Sequence, residues 1–422
     1  MAVPKLRFNE FDNQWDKTTI NDQAQTVTSG SRDWAQYYSE SGDKFIRMTN
    51  LVRDGIYLDL SDLKFVQLPK DSNEGKRTSL KFGDILISIT AELGKLGWIP
   101  EGLGTAYINQ HTALVRMKDS IDSKFVAYSL STEKYNNKLN SLNDSGAKAG
   151  LNLGTIRNFE LIVPPKAEQT KIASFLSNVD EKISQLTQKH ELLSQYKQGM
   201  MQKLFSQQTR FKADDGSEFG EWEEVKFSGI FNFHQTNSYS RALLAEYGEI
   251  MNIHYGDIHT KFSMLFDVNK ESVPFLNDEV DTSKIAKEQF LKVGDLVIAD
   301  ASEDYKDIGK SIEVISLNNQ KVVAGLHTYI ARPVKPFALG FCGYMMQTFP
   351  VREQIKKLAT GISVLGISKT NLGKVELKVP SLEEQTKIAN FLSAIDQKIE
   401  VVVQQIEQAK QWKKGLLQQM FV

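Results

Sequence analysis

The sequence predicts an α/β protein made of one unit repeated twice. Each repeat is a globular domain followed by a long helix, and the two helices pair antiparallel as a coiled coil about a pseudo-two-fold axis. Three observations predict this. First, residues 167–184 read AEQTKIASFLSNVDEKIS and residues 383–400 read EEQTKIANFLSAIDQKIE, 216 residues apart and mostly identical. A fixed period held in unbroken register marks a duplicated architecture. Second, apolar residues inside both repeated segments recur at steps of three and four, the spacing of a helix seam. Third, strand-like and helix-like stretches are mixed in the two segments that separate the repeats.

Taken in order, the entry RFNEFDNQW from Arg7 returns as RFKADDGSEFGEW from Arg210, so Trp15 answers Trp222. FGDILISIT (82–90) and VGDLVIAD (293–300) each read as a turn followed by a buried, Ile- and Val-rich strand. ALVRM (113–117) and YIARP (329–333) read as further strands. Residues 123–142 read as one helix, and 341–359 as a helix kinked or restarted at Pro350. Val163-Pro164 and Val379-Pro380 close the domains, again 216 apart. The predicted boundaries are 1–164 for the first domain, 165–206 for the first helix, 207–380 for the linker and second domain, and 381–422 for the second helix.

A helix is expected after each Pro-bearing junction, because Pro blocks continuation from upstream. Ser381 with Glu384 fits a capping box for the second helix. The seam in the first helix is Ile172, Leu176, Val179, Ile183, Leu186 and Leu193; in the second it is Ile388, Leu392, Ile395, Ile399, Val402 and Ile406. His190, Lys197 and Lys413 interrupt this pattern, as register-setting polar positions do in coiled coils. The alternative is that each helix packs separately on its own domain.

Composition narrows the function classes. Hydrophobic content of 41% and charged content of 24% are those of a globular protein, and no apolar run approaches membrane-span length. The start MAVPKLRFNEFDNQW lacks the apolar core of a signal peptide. A single cysteine, Cys342, excludes an internal disulfide and a Cys-based zinc site, so a reduced, cytoplasmic protein is expected. A net charge of −1 argues against a protein that neutralises many phosphates alone. Any DNA-binding surface must be local or shared with partners.

Catalytic constellations are missing from the sequence. Gly309-Lys310-Ser311 has Asp304 where a phosphate-binding loop needs Gly, and no G-x-G-x-x-G or H-E-x-x-H is present. Gly83-Asp84 and Gly294-Asp295 read as turns that start strands rather than as acids. His111 and His327 read as scaffold histidines rather than general bases. A binding protein is favoured, with no catalytic residue and no metal site.

Two divergent domains, each followed by a near-identical helix carrying EQTKIAxFLSxxDxKI, resemble the specificity (S) subunit family of Type I restriction–modification systems. The PKLRF…W entry, the Gly-Asp-Ile/Leu strand, the VP-x-x-x-EQ-x-KIA junction and the K-x-G-x-x-Q-x-x-F helix end carry the resemblance across essentially the whole chain. It implies a non-catalytic subunit whose domains are target recognition domains, each reading one half of a bipartite site in double-stranded DNA. It implies that the helices set the spacer and dock two methyltransferase subunits, which methylate adenine by base flipping. Two restriction/translocase subunits would complete the complex. S-adenosylmethionine, ATP and magnesium belong on those partners, and no cofactor is expected in this chain.

Bases and phosphates are contacted by cations and amides on loops and helix ends. That points in the first domain to Ser31, Arg32, Lys44, Arg47, Asn50, Lys95 and Lys148. In the second it points to Arg241, Asn252, His254, His259, Lys261, Lys306 and Lys310. Tyr37, Tyr239 and Tyr255 are candidates for stacking or for the core. Three other readings stay open on sequence alone: a stand-alone two-site DNA-binding regulator, a methyltransferase with an unrecognised motif, and a structural coiled-coil protein.

Overall fold

The structure, a computed structural model, describes residues 3–70, 72–143 and 150–421. The chain forms two compact units, one of residues 1–187 with 404–422, the other of residues 188–403. Each long helix is therefore divided between them.

In the first unit, Asp16–Thr19 pairs antiparallel with Glu160–Val163 and clasps the two ends of the domain. The clasped segment holds an antiparallel sheet in the order Ala24–Ser29, Thr112–Met117, Ile85–Ser88, Leu96–Trp98. Ile85–Ser88 is buried at every position, which is why it reads as an unbroken apolar run rather than an alternation. A smaller sheet joins Tyr38–Ser39, Lys64–Val66, Asp43–Ile46 and Ala106–Ile108, the last two strands running parallel.

The second unit repeats the clasp with Glu223–Lys226 against Glu376–Val379. Its larger sheet has five strands, in the order Phe231–His234, Thr328–Pro333, Leu296–Ala299, Ser311–Ser316, Leu265–Asp267. Its smaller sheet orders Leu244–Ala245, Phe275–Leu276, Ile250–Ile253 and Lys321–Ala324.

The Gly-Asp pairs are turns, with an added role for the acid. Gly83 and Gly294 have φ of +82° and +91°, which favours glycine. Asp84 receives a two-pronged Arg116 at 2.7 and 2.6 Å, and Asp295 receives Arg332 at 2.8 and 2.7 Å. Both carboxylates are buried, and Asp84 holds the Arg116 guanidinium above its usual pKa. These are charge-assisted, bidentate pairs that tie the turn to the neighbouring strand.

Residues 123–142 form two helices rather than one, Ser123–Ser131 and Glu133–Ser141. Thr132 breaks them: its hydroxyl donates to the Ser129 carbonyl at 2.7 Å and accepts from the Tyr135 amide at 3.4 Å. A short hydroxyl side chain offers the backbone this alternative to helix. Thr348, 216 residues on, donates to the Met345 carbonyl at 2.8 Å between helices Phe341–Met346 and Phe349–Leu358. Pro350 thus sits in a first turn, where it needs no amide, and the break is shared by both units.

The long helices span Lys166–Phe205 and Leu382–Met420, 40 and 39 residues, each roughly 60 Å at 1.5 Å per residue. Asp180 pairs with Lys413 in the first unit and Lys197 with Asp396 in the second, both at 2.5 Å. As the position along one helix rises, the partner position falls, so the helices run antiparallel. Ile172, Leu176 and Val179 share one core with Trp15, Phe125, Leu416 and Met420; Ile388, Leu392 and Ile395 share another with Phe231, Phe341 and Leu204. Each helix therefore packs on its own domain and is also joined there by the other helix. Leu186, Val402 and Ile406 are buried, while Ile183, Leu193 and Ile399 are half-buried.

The capping box at Ser381 is half made. Ser381 Oγ accepts the Glu384 amide at 3.3 Å. The Glu384 carboxylate instead takes Arg210 at 3.0 and 2.8 Å and the Trp222 indole at 3.0 Å. Glu168 takes Arg7 in the same way, at 2.7 Å for both bonds. These glutamates anchor the entry segments. Gln169 and Gln385 span junction and domain, donating to the Pro164 and Pro380 carbonyls and accepting the Asp122 and Ala338 amides. Among the described residues, no helix is long and apolar enough to cross a membrane.

Candidate nucleic-acid interface

In the second unit the predicted residues converge. The strand Ile250–Ile253 runs into the short helix Tyr255–Thr260, and His254 caps it by accepting the Gly256 amide on Nδ1 at 3.1 Å. Asp257 is buried and accepts Arg241 at 3.0 Å and Lys261 at 3.1 Å. The Arg241 side chain remains 52% exposed and also lies 3.2 Å from His254 Nδ1. Burial first, and then the Arg241 charge, pushes the His254 pKa down. Both effects favour the neutral imidazole. Nδ1 accepts the Gly256 amide, so in the neutral ring the proton sits on Nε2.

The Tyr255 ring packs among His254, His259 and His327, at centroid distances of 4.7, 6.1 and 5.4 Å. Three of the chain's six histidines thus meet at one tyrosine. His259 is fixed through Nε2 against the Ala301 carbonyl at 3.0 Å, and Lys310 donates to the His259 carbonyl at 2.7 Å. Asn252 is fully buried, and neither amide atom has a partner. A Cβ on Gly325 would come within 2.7 Å of its nitrogen, so this predicted contact residue is enclosed by the fold rather than presented outward. Lys306 is exposed on the loop at Asp304.

His327 lies at the edge of the strand Thr328–Pro333. It has φ of +58°, its side chain is 49% exposed, and its Nδ1 lies 3.2 Å from Asp300 Oδ1. Sequence reasoning also passed over Asp257, the carboxylate that organises Arg241 and Lys261. The usable signal was the density of polar residues in HYGDIHTK.

The first-unit candidates do not converge in this way. Ser31 is bridged to Asn109, and Arg32 is exposed beside it. Lys44 donates to the Leu103 carbonyl at 2.7 Å. Arg47 pairs with Asp62 at 2.7 Å and holds that carboxylate below its usual range. Lys95 pairs with Glu92 at 2.7 Å. Asn50 serves the fold: it is 1% exposed, accepting the Arg47 amide at 2.9 Å and donating to the Asp59 carbonyl at 2.8 Å. Its side chain is spent tying the Arg47 turn to the loop at Asp59 and Asp62 rather than presented outward. Tyr37 packs on Trp34 at 6.0 Å. Lys148 lies outside the described residues. His111 is held by Thr90 at 2.8 Å and Gln110 at 3.0 Å.

Chemically, the second-unit cluster offers a half-exposed forked cation in Arg241, a half-exposed imidazole in His327 and the Tyr255 ring, while Lys261 is tied to Asp257 and Lys310 to the His259 carbonyl. Such a set suits base edges and phosphates. Comparison with known proteins identifies the family and the fold. A family model describing the Type I restriction modification DNA specificity domain matches residues 13–195 and again 220–411. The chain is 28% identical over 272 residues to the Type I restriction enzyme MjaVIII specificity subunit of Methanocaldococcus jannaschii, covering 62% of this chain and 60% of that relative. It is 24% identical over 425 residues to the putative MjaX specificity subunit of the same organism, covering 98% of this chain and 94% of the relative. In fold it is similar to a crystal structure of the S subunit of a Type I restriction–modification system from M. genitalium, with a TM-score of 0.60 at 15% identity, covering 100% of this chain and 99% of that one. A structure described in terms of complex assembly and conformational transition of the Type I system matches with a TM-score of 0.54 at 13% identity, over 98% of both chains.

Proposed function

The chain belongs to the Type I restriction–modification DNA specificity family, and from that premise we propose how its parts divide the work. A specificity subunit recognises DNA sequence and is not the catalytic component. Each unit here reads one half of a bipartite, non-palindromic site in double-stranded DNA. The helix pair holds the gap between the halves and docks two methyltransferase subunits, which bring S-adenosylmethionine and methylate adenine. Two restriction/translocase subunits, using ATP and magnesium, act on unmethylated DNA.

The observation that carries this reading is one frame with two different surfaces. The Asp84–Arg116 and Asp295–Arg332 pairs, the threonine breaks and the clasps recur, while only the second unit gathers Arg241, His254, Tyr255 and His327. Two readers of different half-sites need this combination. Readers on one face of B-DNA sit about one turn apart, roughly 34 Å, and a stiff helix pair suits that span better than a flexible chain. The net charge of −1 fits a duplex whose phosphates are shared with partner subunits.

The test is single-molecule sequencing of host DNA for adenine methylation, with the gene intact and deleted. Loss of one split motif on deletion is expected; an unchanged methylome rejects the proposal. Inserting four residues into both helices, about 6 Å each, should lengthen the unspecified gap.

A further inference from the structure

Each unit contains a three-part polar node that the recognition surface does not use. In the first, Tyr128 on the domain helix Ser123–Ser131 donates to Asp180 Oδ2 at 2.6 Å, and Lys413 meets Asp180 Oδ1 at 2.5 Å. The Lys413 ammonium also lies 5.7 Å from the centre of the Tyr128 ring. In the second, Tyr344 donates to Asp396 Oδ2 at 2.6 Å, Lys197 meets Asp396 Oδ1 at 2.5 Å, and Lys197 lies 5.4 Å from the Tyr344 ring. All three members recur 216 residues apart. Of the ten residues from 123 to 132, only Phe125, Tyr128 and Thr132 are kept at 339 to 348, as Phe341, Tyr344 and Thr348.

Every node joins three elements through one carboxylate: the domain helix, the long helix that follows the domain, and the other long helix. The surrounding contacts of Phe125, Leu176 and Leu416, or of Phe341 and Leu392, are apolar. Apolar contact is non-directional and tolerates a small rotation of the domain on the helices. A carboxylate filled on both oxygens does not. Both tyrosine hydroxyls are pushed well above their usual pKa, by burial first and then by the aspartate, so they stay protonated donors.

We propose that Tyr128–Asp180–Lys413 and Tyr344–Asp396–Lys197 are positioning nodes that fix the angle of each reading domain on its helices and thereby restrict the site to a single gap length. The proposal rests on the bipartite reading above. It makes gap selectivity a property of two side-chain clusters rather than of helix length alone.

The test uses the full chain in its complex with the methyltransferase partner. Duplexes carrying both half-sites with the native gap, one base pair fewer and one base pair more are compared for binding. For Tyr128→Phe with Tyr344→Phe, the preference for the native gap should fall at least tenfold, with each single variant in between and Lys413→Arg close to wild type. An equal loss of affinity on all three duplexes, or an unchanged preference, overturns the proposal, since a merely stabilising role weakens all three alike. Should the wild-type complex show no split-site preference, the bipartite reading itself fails and this proposal falls with it. Circular dichroism and the thermal midpoint of the double variant, expected near wild type, keep misfolding from imitating either result.

Discussion

The helix that carries the node tyrosine starts differently in the two units. In the first, Asp122 caps it from the position next to the helix, accepting the Lys124 and Phe125 amides at 3.0 Å each. In the second, Ala338 stands in that place, and Glu313 reaches across from the strand Ser311–Ser316 to accept the Gly340 and Gly343 amides at 2.7 and 2.6 Å. The orphan amides of a helix start must be answered somehow. A half-buried local cap in one unit corresponds to a buried remote one in the other, and the cost shows: burial raises the Glu313 pKa to about 7, even against its amide donors. What the repeat preserves is the position of the tyrosine, and the means of holding its helix were free to change.

The comparison is broken most severely at the scaffold ion pairs. Arg116→Ala and Arg332→Ala each leave a buried aspartate unpaired, which costs about 3–5 kcal/mol. The two losses should be alike and confined to their own units, as read by hydrogen exchange. Unequal losses would mean that the shared frame is not energetically shared.

Glu313 supplies the next largest effect. Its folded pKa lies above its unfolded value of 4.5, so the folded state holds the extra proton between about pH 4.5 and pH 7. Stability of the second unit should therefore fall as pH rises through that window, by at most about 3 kcal/mol. Glu313→Gln should flatten the slope, while the first unit shows no matching decline. Denaturant midpoints from pH 4.5 to pH 8 check this.

Arg241→Ala should cost about 1–3 kcal/mol of binding and relax specificity in one half-site only. Arg32→Ala should instead weaken binding to all sequences and lower the salt slope by about one ion. Methylome sequencing separates the first outcome, and binding at several salt concentrations the second. Asp122→Ala is the mildest change, about 1 kcal/mol of stability for a lost cap, and marks how much more the remote Glu313 does for the second unit.

Much of the frame was legible because the 216-residue repeat survives where one residue serves several elements. Glu168, Gln169, Asp180 and their counterparts each bond beyond their own helix, so each tolerates little change. The break at Thr132 was not legible, since a threonine inside a helical pattern looks the same whether it points outward or bonds backward. Glu313 was hidden for a related reason: a cap supplied from a distant strand leaves no mark beside the helix it caps. Candidate contacts were found together in the second unit because His254, His259 and Lys261 are also neighbours in sequence. In the first unit residue type alone could not separate Asn50, spent on carbonyls of the loop at Asp59 and Asp62, from exposed Arg32.

The division of each long helix between two units also sets an order of assembly. Residues 188–403 form one continuous stretch and can close as soon as they are made. The other unit lacks Lys413, the partner of Asp180, and the core residues Leu416, Met420 and Phe421 until residues 404–422 are added. Translation at roughly 5–20 residues per second puts that moment roughly 12–47 s after Thr187 is joined. The domain that begins first during synthesis is the one that finishes last, and in the interval its helix exposes an unpaired acid and an open apolar face to whatever chaperone or partner is near.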